Sequence, residues 1–149
     1  MKKIPQNLVT LIIPILIWSC KEVNTNSNTC FEIYNLMQIQ EDSWNNGNID
    51  GFMKSYWQSD SLIFISKSGI NYGWDKTITN YKKTYRTKQE MGTLKFENII
   101  CKPLNDSSHV VTGKWSLKRH DSIGNISGYY TLFWIKKING WKIIYDHSS

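Results

Sequence analysis

Large and apolar positions in the first part of the chain recur with the spacing of an α-helix. Between Phe31 and Asn46 they fall four, three and four residues apart, at Ile33, Met37, Gln40 and Trp44. This spacing places them on one face of a helix. The dipeptide Asn46-Gly47 is a typical helix stop. The pattern therefore predicts a first amphipathic helix over residues 31–46.

Three further elements are predicted before residue 90. Asn48 or Asp50 can cap a short second helix. Residues 61–66, SLIFIS, have the composition of a strand, and a turn follows at residues 67–69. A third helix is predicted over residues 74–87, because its apolar side chains lie near one face. The order is therefore helix, helix, strand, helix.

After residue 91 the pattern changes to a period of two, which is typical of strands. Four alternating segments are separated by turn sequences, at residues 93–102, 110–119, 129–137 and 141–147. In the first of them one face carries Leu94, Phe96, Asn98 and Ile100. In the last segment one face carries Trp141, Ile143, Tyr145 and His147, and the other carries Lys142, Ile144 and Asp146. Asn139-Gly140 predicts a hairpin between the last two strands.

Three helices followed by a run of long strands predict an α+β fold. A strongly curved, mostly antiparallel sheet that wraps around helices can leave a hollow rather than a filled core. Tryptophan and tyrosine carry polar tips that require partners when buried, so a set of them suggests a pocket. The candidate lining residues are Trp44, Tyr56, Phe64, Trp74, Tyr81, Trp115, Tyr130 and Trp134. For each of them alone, ordinary core packing is the alternative.

The first nineteen residues have the layout of a secretory signal peptide: two lysines, an apolar run from Leu8 to Trp18, and a small residue before Cys20. The eleven residues of this run span only about half of a roughly 30 Å bilayer core, which argues against a membrane-spanning helix. The stretch LIWSC resembles a bacterial lipobox, which implies cleavage before Cys20 and a diacylglycerol on its sulfur. An ordinary signal peptide, cut nearby, is the alternative.

These features divide the chain into three parts. We expect a signal peptide over residues 1–19, a lipidated Cys20 with a flexible tether over residues 20–30, and one domain over residues 31–149. Such a protein would be exported and attached to the membrane through the lipid. It would lie in the bacterial cell envelope, at the periplasmic face or the cell surface.

Charge and cysteine content narrow the classes of partner. The formal charge of +6 becomes about +4 when Lys2 and Lys3 leave with the signal peptide. The basic residues form no patch or stripe, so nucleic acid is not expected as a partner.

No Cys-x-x-Cys, His-x-x-x-His or Glu-x-x-His spacing occurs, so we predict neither a metal site nor a cofactor. For Cys30 and Cys101 two free thiols are the favoured expectation and a disulfide is the alternative.

Several stretches, taken in order, resemble a known family. SWNNGNIDGFMKSYWQSDSLIFISKSG (residues 43–69) joins a helix end, a short helix and a first strand. YGWDKTITNY (residues 72–81) covers the third helix, and GKW (113–115) and GWKIIYDHSS (140–149) lie on later strands. Over residues 31–149 the chain resembles the NTF2-like superfamily, which holds the SnoaL-like and DUF4440 proteins.

The resemblance implies a cone-shaped α+β fold with a pocket between the curved sheet and the helices, and frequent homodimerisation through the outer sheet face. It does not fix the function, because this fold supports enzymes, ligand carriers and assembly domains. Steroid isomerases of the superfamily use a tyrosine and an aspartate whose positions fall here on Gln40 and near Ser66. Residues 61–71 contain no carboxylate, so that activity is not expected.

His147 is the candidate catalytic residue, since a histidine at the mouth of an aromatic pocket can exchange protons near neutral pH. Arg119, in register with Trp115, is expected on the pocket side as a further lining residue. The alternatives are a structural role for His147 and an ion pair or strand-edge contact for Asp146. The leading hypothesis is a domain that binds a small apolar or aromatic molecule. An acid-base enzyme, such as a lyase, cyclase or isomerase, and a structural dimerisation or interaction domain are the other two.

Overall fold

A computed structural model describes the backbone from Thr25 to Ser149 and the side chains from Asn28. The predicted signal peptide, the lipidated Cys20 and the beginning of the tether lie outside the described residues. The first helix already begins at Thr25, so residues 25–30, which we expected to form a flexible tether, are helical. Within the described part of the chain, no helix combines the length and the apolar character that a membrane crossing requires.

In the described part of the chain, four helices precede or interrupt the sheet: α1 (Thr25–Asn45), α2 (Ile49–Met53), α3 (Trp74–Thr84) and α4 (Lys88–Met91). The side chain of Asn48 accepts a hydrogen bond from the N–H of Gly51 at 2.7 Å and starts α2 as predicted. The helix predicted over residues 74–87 ends at Thr84. A separate turn of helix follows because Thr87 and Glu90 form a capping box.

Within residues 25–149, six strands form one curved sheet in the order β2-β1-β6-β5-β4-β3. Their bounds are β1 Ile63–Ser66, β2 Gly69–Tyr72, β3 Thr93–Asn105, β4 Ser108–Lys118, β5 Ile126–Lys137 and β6 Gly140–Ser148. Strands β3 to β6 form an antiparallel meander, and β1 pairs with β6 in parallel. The α+β prediction is confirmed. The short edge strand β2 was not predicted.

A β-bulge in β6 reverses the orientation of the end of the chain. Phe133 pairs with Tyr145 and Trp134 pairs with Ile143, so Ile144 is the extra residue. One inserted residue moves every later side chain to the opposite face. Asp146 therefore points into the molecule and is 2% exposed, whereas His147 is exposed on the outer face. The predicted inward orientation of His147 is wrong for this reason.

A second bulge has the same effect on β3. Its pairing with β4 shifts between Asn98 and Ile100, which leaves Ile99 unpaired. Ile100 is therefore 52% exposed instead of facing inward, and Cys101 takes the partly buried position. Cys101 forms a disulfide with Cys30 of α1, so the expectation of two free thiols is wrong. The bond ties the first helix to the edge strand of the meander.

The space between the helices and the sheet is packed at one end and hollow at the other. The packed end holds fully buried side chains from helices and strands, including Ile33, Met37, Met53, Trp134, Trp141 and Ile143. The hollow end lies where the inner faces of β4, β5 and β6 approach α2 and α3. Large side chains from both halves of the chain line it without filling it.

Candidate ligand pocket

The hollow end is a pocket of about 720 Å³ that opens to solvent. Nine aromatic side chains line it: Trp44, Phe52, Tyr56, Phe64, Tyr81, Tyr85, Phe96, Trp115 and Tyr130. Leu94, Leu117 and Leu132 add aliphatic surface from three strands. A cavity of this size and apolar character is typical of small-molecule sites.

Six of the predicted lining residues lie on this pocket: Trp44, Tyr56, Phe64, Tyr81, Trp115 and Tyr130. The other four are placed elsewhere. Trp134 is 0% exposed in the packed core, and the indole N–H of Trp74 donates to the carbonyl of Met53 at 3.2 Å. Arg119 donates to the carbonyl of Gly124 at 2.7 Å, and His147 lies on the outer sheet face; neither lines the pocket.

The helix side of the pocket is a network of rings in edge contact. Ring centroids lie 5.2 Å apart for Trp44 and Phe52, and 5.4 Å apart for Phe52 and Tyr81. Phe64 of β1 joins at 5.6 Å from Tyr81. The indole N–H of Trp44 donates to the carbonyl of Met91 at 3.1 Å. Edge-to-face contacts fix ring orientation as well as contact area, so this wall is preformed.

Asp146 is the buried carboxyl group of the pocket. One carboxylate oxygen accepts a hydrogen bond from the Tyr56 hydroxyl at 2.7 Å, and the other accepts one from the Ser148 hydroxyl at 2.6 Å. Burial raises the pKa of Asp146 from 3.8 to about 6, although both hydrogen bonds and nearby His147 favour the charged form. Asp146 is thus the lining group that can exchange a proton near neutral pH.

The tyrosines around this carboxyl group remain protonated donors. Burial is the main cause that raises the pKa of Tyr56 and of Tyr81 well above 10, and the charge of Asp146 adds to it. Burial likewise raises the pKa of Tyr130, whose hydroxyl donates to the side-chain oxygen of Asn98 at 2.5 Å. Near neutral pH, the buried part of the pocket therefore holds one carboxyl group that titrates, and the tyrosine hydroxyls around it stay protonated.

A glycine makes room for one of these phenols. Gly113 lies on the inner face of β4, opposite Tyr130 on β5. A Cβ at this position would collide with the Tyr130 hydroxyl and with the carbonyl of Glu97. Gly113 therefore lets the Tyr130 ring lie across the strand and reach Asn98.

Two buried polar atoms of pocket residues have no hydrogen-bond partner. They are the side-chain oxygen of Gln40 and the indole nitrogen of Trp115. The amide nitrogen of Gln40 donates to the carbonyl of Phe52 at 3.2 Å, which fixes the direction of the amide. Buried polar atoms without partners are few in native proteins, and they often mark functional sites.

The pocket opening is polar and carries positive charge. Lys67 follows β1 in the turn before β2, and Lys83 lies in the last turn of α3. Both exposed side chains line the opening, together with Ser66 and Ser68. The two serine hydroxyls lie 2.8 Å apart and share a hydrogen bond.

Sequence reasoning missed Asp146 as a pocket residue, as well as Gln40 and the aromatic side chains of Phe52, Tyr85 and Phe96. Phe96 was placed on the same strand face as Leu94, a signal that could have identified it. Asp146 could not be found by alternation, because the bulge precedes it. Among the described residues, no group of three or more His, Cys, Asp or Glu side chains could hold a metal ion.

Comparison with known proteins identifies the family. No protein-family model matches the sequence, and no curated protein matches it. An NTF2-like protein of unknown function from Shewanella oneidensis is 38% identical, with 81% of this chain and 98% of that chain covered and a TM-score of 0.77. An NTF2-like superfamily protein from Salmonella enterica is 22% identical, with 83% and 91% covered and a TM-score of 0.66.

A third solved structure shows the fold alone. It is a domain of unknown function with a cystatin-like fold from Nostoc punctiforme, 15% identical, with 85% of this chain and 77% of that chain covered and a TM-score of 0.68. The Shewanella protein decides the assignment, because its identity extends over nearly its whole length. The chain belongs to the NTF2-like family.

Proposed function

We propose that this domain binds a small, mainly apolar or aromatic molecule in its pocket. The observation that carries the proposal is the cavity of about 720 Å³ with nine aromatic side chains on its walls. Trp44 and Trp115 border this cavity instead of filling it, whereas Trp134 and Trp141 belong to the packed core. Apolar contact with such walls would supply the affinity, and the few polar groups would set the orientation.

The test is a binding titration with 2-naphthol, a neutral aromatic probe, followed by calorimetry or probe fluorescence. Trp115→Ala removes a wall of the pocket and should weaken binding at least about tenfold, since loss of a large aromatic contact costs more than about 1.4 kcal/mol. Trp57→Ala is the matched control, because Trp57 lies outside the pocket, against Lys137. Equal affinities in the two variants, or no saturable binding by the wild type, would refute the proposal.

Native mass spectrometry of the gently purified domain gives a complementary measurement. A discrete small-molecule mass retained by the wild type and lost from Trp115→Ala would place the ligand at this wall. Identification of that molecule would then define the activities worth testing.

A second candidate function is acid-base catalysis that uses Asp146 in place of the predicted His147. The observation in its favour is a carboxyl group with a pKa of about 6 that is buried on the pocket wall. Above that pH the carboxylate could accept a proton from a bound carbon or oxygen acid. Tyr56, whose hydroxyl contacts the same carboxylate, would hold it in place.

This candidate is tested by the exchange of the α-protons of 2-tetralone in D₂O, monitored by NMR. The wild type should accelerate exchange, Asp146→Asn should abolish the acceleration, and His147→Ala should leave it intact. Acceleration that survives Asp146→Asn would assign the chemistry to another group. No acceleration by the wild type would leave the domain as a binder.

We also propose that the domain forms a homodimer through the outer face of the sheet. Phe133 and Tyr145 lie side by side on that face, with ring centroids 5.4 Å apart, and both are only partly buried. Sedimentation velocity should show a dimer for the wild type and a monomer for Phe133→Glu. Thr79→Glu, on an exposed position of α3, is the control and should remain dimeric.

Export and lipid attachment remain a proposal that rests on the sequence of residues 1–20. Metabolic labelling with an alkyne fatty acid in a bacterial host should modify the full chain. The label should disappear in Cys20→Ala. Labelling that persists in this variant would refute lipidation at Cys20.

A further inference from the structure

We propose that the ligand carries an anionic group, and that Lys67 and Lys83 hold this group at the pocket opening while the apolar part occupies the interior. The inference rests on the proposed binding function and specifies the ligand class: an amphipathic molecule with an aromatic or aliphatic body and a carboxylate, sulfonate or phosphate.

Three charged side chains of the described chain line the pocket: Lys67, Lys83 and Asp146. The two lysines come from different elements, the β1–β2 turn and the end of α3, and both line the pocket at exposed positions. Asp146 is buried on the wall, on the neighbouring strand β6, beside Phe64 of β1. The two positively charged side chains are therefore exposed, whereas the carboxyl group of Asp146 lies in the buried part of the pocket.

Among the described residues, no carboxylate forms an ion pair with either lysine. The ion pairs among the described residues use other cations, namely Lys82, Arg86, Lys95 and Lys114. The neighbour Lys82 shows the contrast, because its ammonium group lies 2.7 Å from a carboxylate oxygen of Asp50, away from the pocket. Lys67 and Lys83 thus keep their charge available for a ligand.

The distribution of charge determines which end of a bound ligand lies in the interior and which lies at the opening. An anion placed deep in the pocket would meet the carboxylate of Asp146 with little water to screen the repulsion. At the rim the same anion would meet two ammonium groups and the hydroxyls of Ser66 and Ser68. Exposed lysines alone are usually only solvated, but here an apolar cavity continues from them into the molecule.

The test compares two ligands that share one ring system, 2-naphthoate and its neutral amide 2-naphthamide, at pH 7.5 and low ionic strength. For the wild type, we expect naphthoate to bind about five- to tenfold more tightly, since two exposed charge contacts strengthen binding only modestly in water. The preference should fall toward onefold in Lys67→Gln/Lys83→Gln. It should also decrease as salt is added.

The control is Lys76→Gln/Lys82→Gln, which removes the same formal charge from helix α3 at positions that do not line the pocket. It should retain the preference for naphthoate. Equal binding of the two ligands by the wild type, or a preference that survives Lys67→Gln/Lys83→Gln, overturns the anion site and leaves the pocket proposal standing. If neither ligand binds to the wild type, both proposals fall.

Discussion

Replacing the buried carboxyl group of Asp146 with an amide should change the pH dependence of stability. Asp146→Asn keeps the size of the side chain and an oxygen that can accept from the Tyr56 hydroxyl. It removes the carboxyl group whose pKa is raised by burial, so the side chain at this position no longer titrates. The expected result is that the variant gains stability relative to the wild type as the pH rises.

The magnitude follows from the pKa of Asp146, about 6 in the folded protein against 3.8 ordinarily. Between these two values the folded chain binds a proton that the unfolded chain has lost, so the free energy of unfolding falls as pH rises. At about 1.36 kcal/mol per pKa unit, the loss amounts to about 3 kcal/mol between pH 3.5 and pH 7. Asp146→Asn should be free of this loss.

Urea denaturation of both proteins at half-unit steps from pH 3.5 to pH 7.5 measures the effect. The quantity to follow is how the difference in unfolding free energy between wild type and variant changes with pH. Altered hydrogen bonds with Ser148 would shift this difference by the same amount at every pH. Asp121→Asn, an exposed turn position, controls for the loss of a charge. A difference that stays constant across the range would refute the reasoning.

Three further results are expected. Reduction of the Cys30–Cys101 disulfide, which spans 71 residues, should lower the free energy of unfolding by about 4 kcal/mol, measured by urea denaturation with and without dithiothreitol; equal midpoints would contradict this. Gly113→Ala should cost about 1–3 kcal/mol in the same assay by displacing the Tyr130 ring and the Glu97 carbonyl, and should weaken 2-naphthol binding. His109 is buried beside Trp141 with neither ring nitrogen hydrogen-bonded, and burial lowers its pKa, so the free energy of unfolding should fall as the pH drops below 6.5. His109→Leu should remove that loss, and a variant with the same pH profile as the wild type would refute the explanation.

The regular parts of the fold were predictable from periodicity. The helix over residues 31–46 and the four long strands were found because each buries one face, and burial imposes the period of the element on the sequence. The strand β2 was missed because its side chains are mostly exposed and carry no such pattern. The turn of helix α4 was not separated from α3 because it depends on the capping contact between Thr87 and Glu90, and not on a hydrophobic period.

The candidate site was predictable only up to the first irregularity in each strand. Aromatic residues on a regular strand, such as Trp115 of β4, or before a bulge, such as Phe96 of β3, were placed on the correct face. The orientation of Asp146 and His147 was reversed because the residue inserted at Ile144 has no distinct sequence signal. The disulfide partner Cys101 was obscured in the same way, since the bulge that turns it inward is set by the pairing of β3 with β4.

The position of β6 between β1 and β5 affects how the domain can be assembled. The hairpin of β1 and β2 has its sheet partner in residues 140–148, about eighty positions later in the chain. Nearly the entire domain must therefore be free to fold, at the ribosome or after export, before the first hairpin finds its place. Such long-range closure slows folding and leaves apolar strands uncovered in the meantime. A nascent chain stopped before Gly140 would leave that hairpin without its neighbour and expose the floor of the pocket.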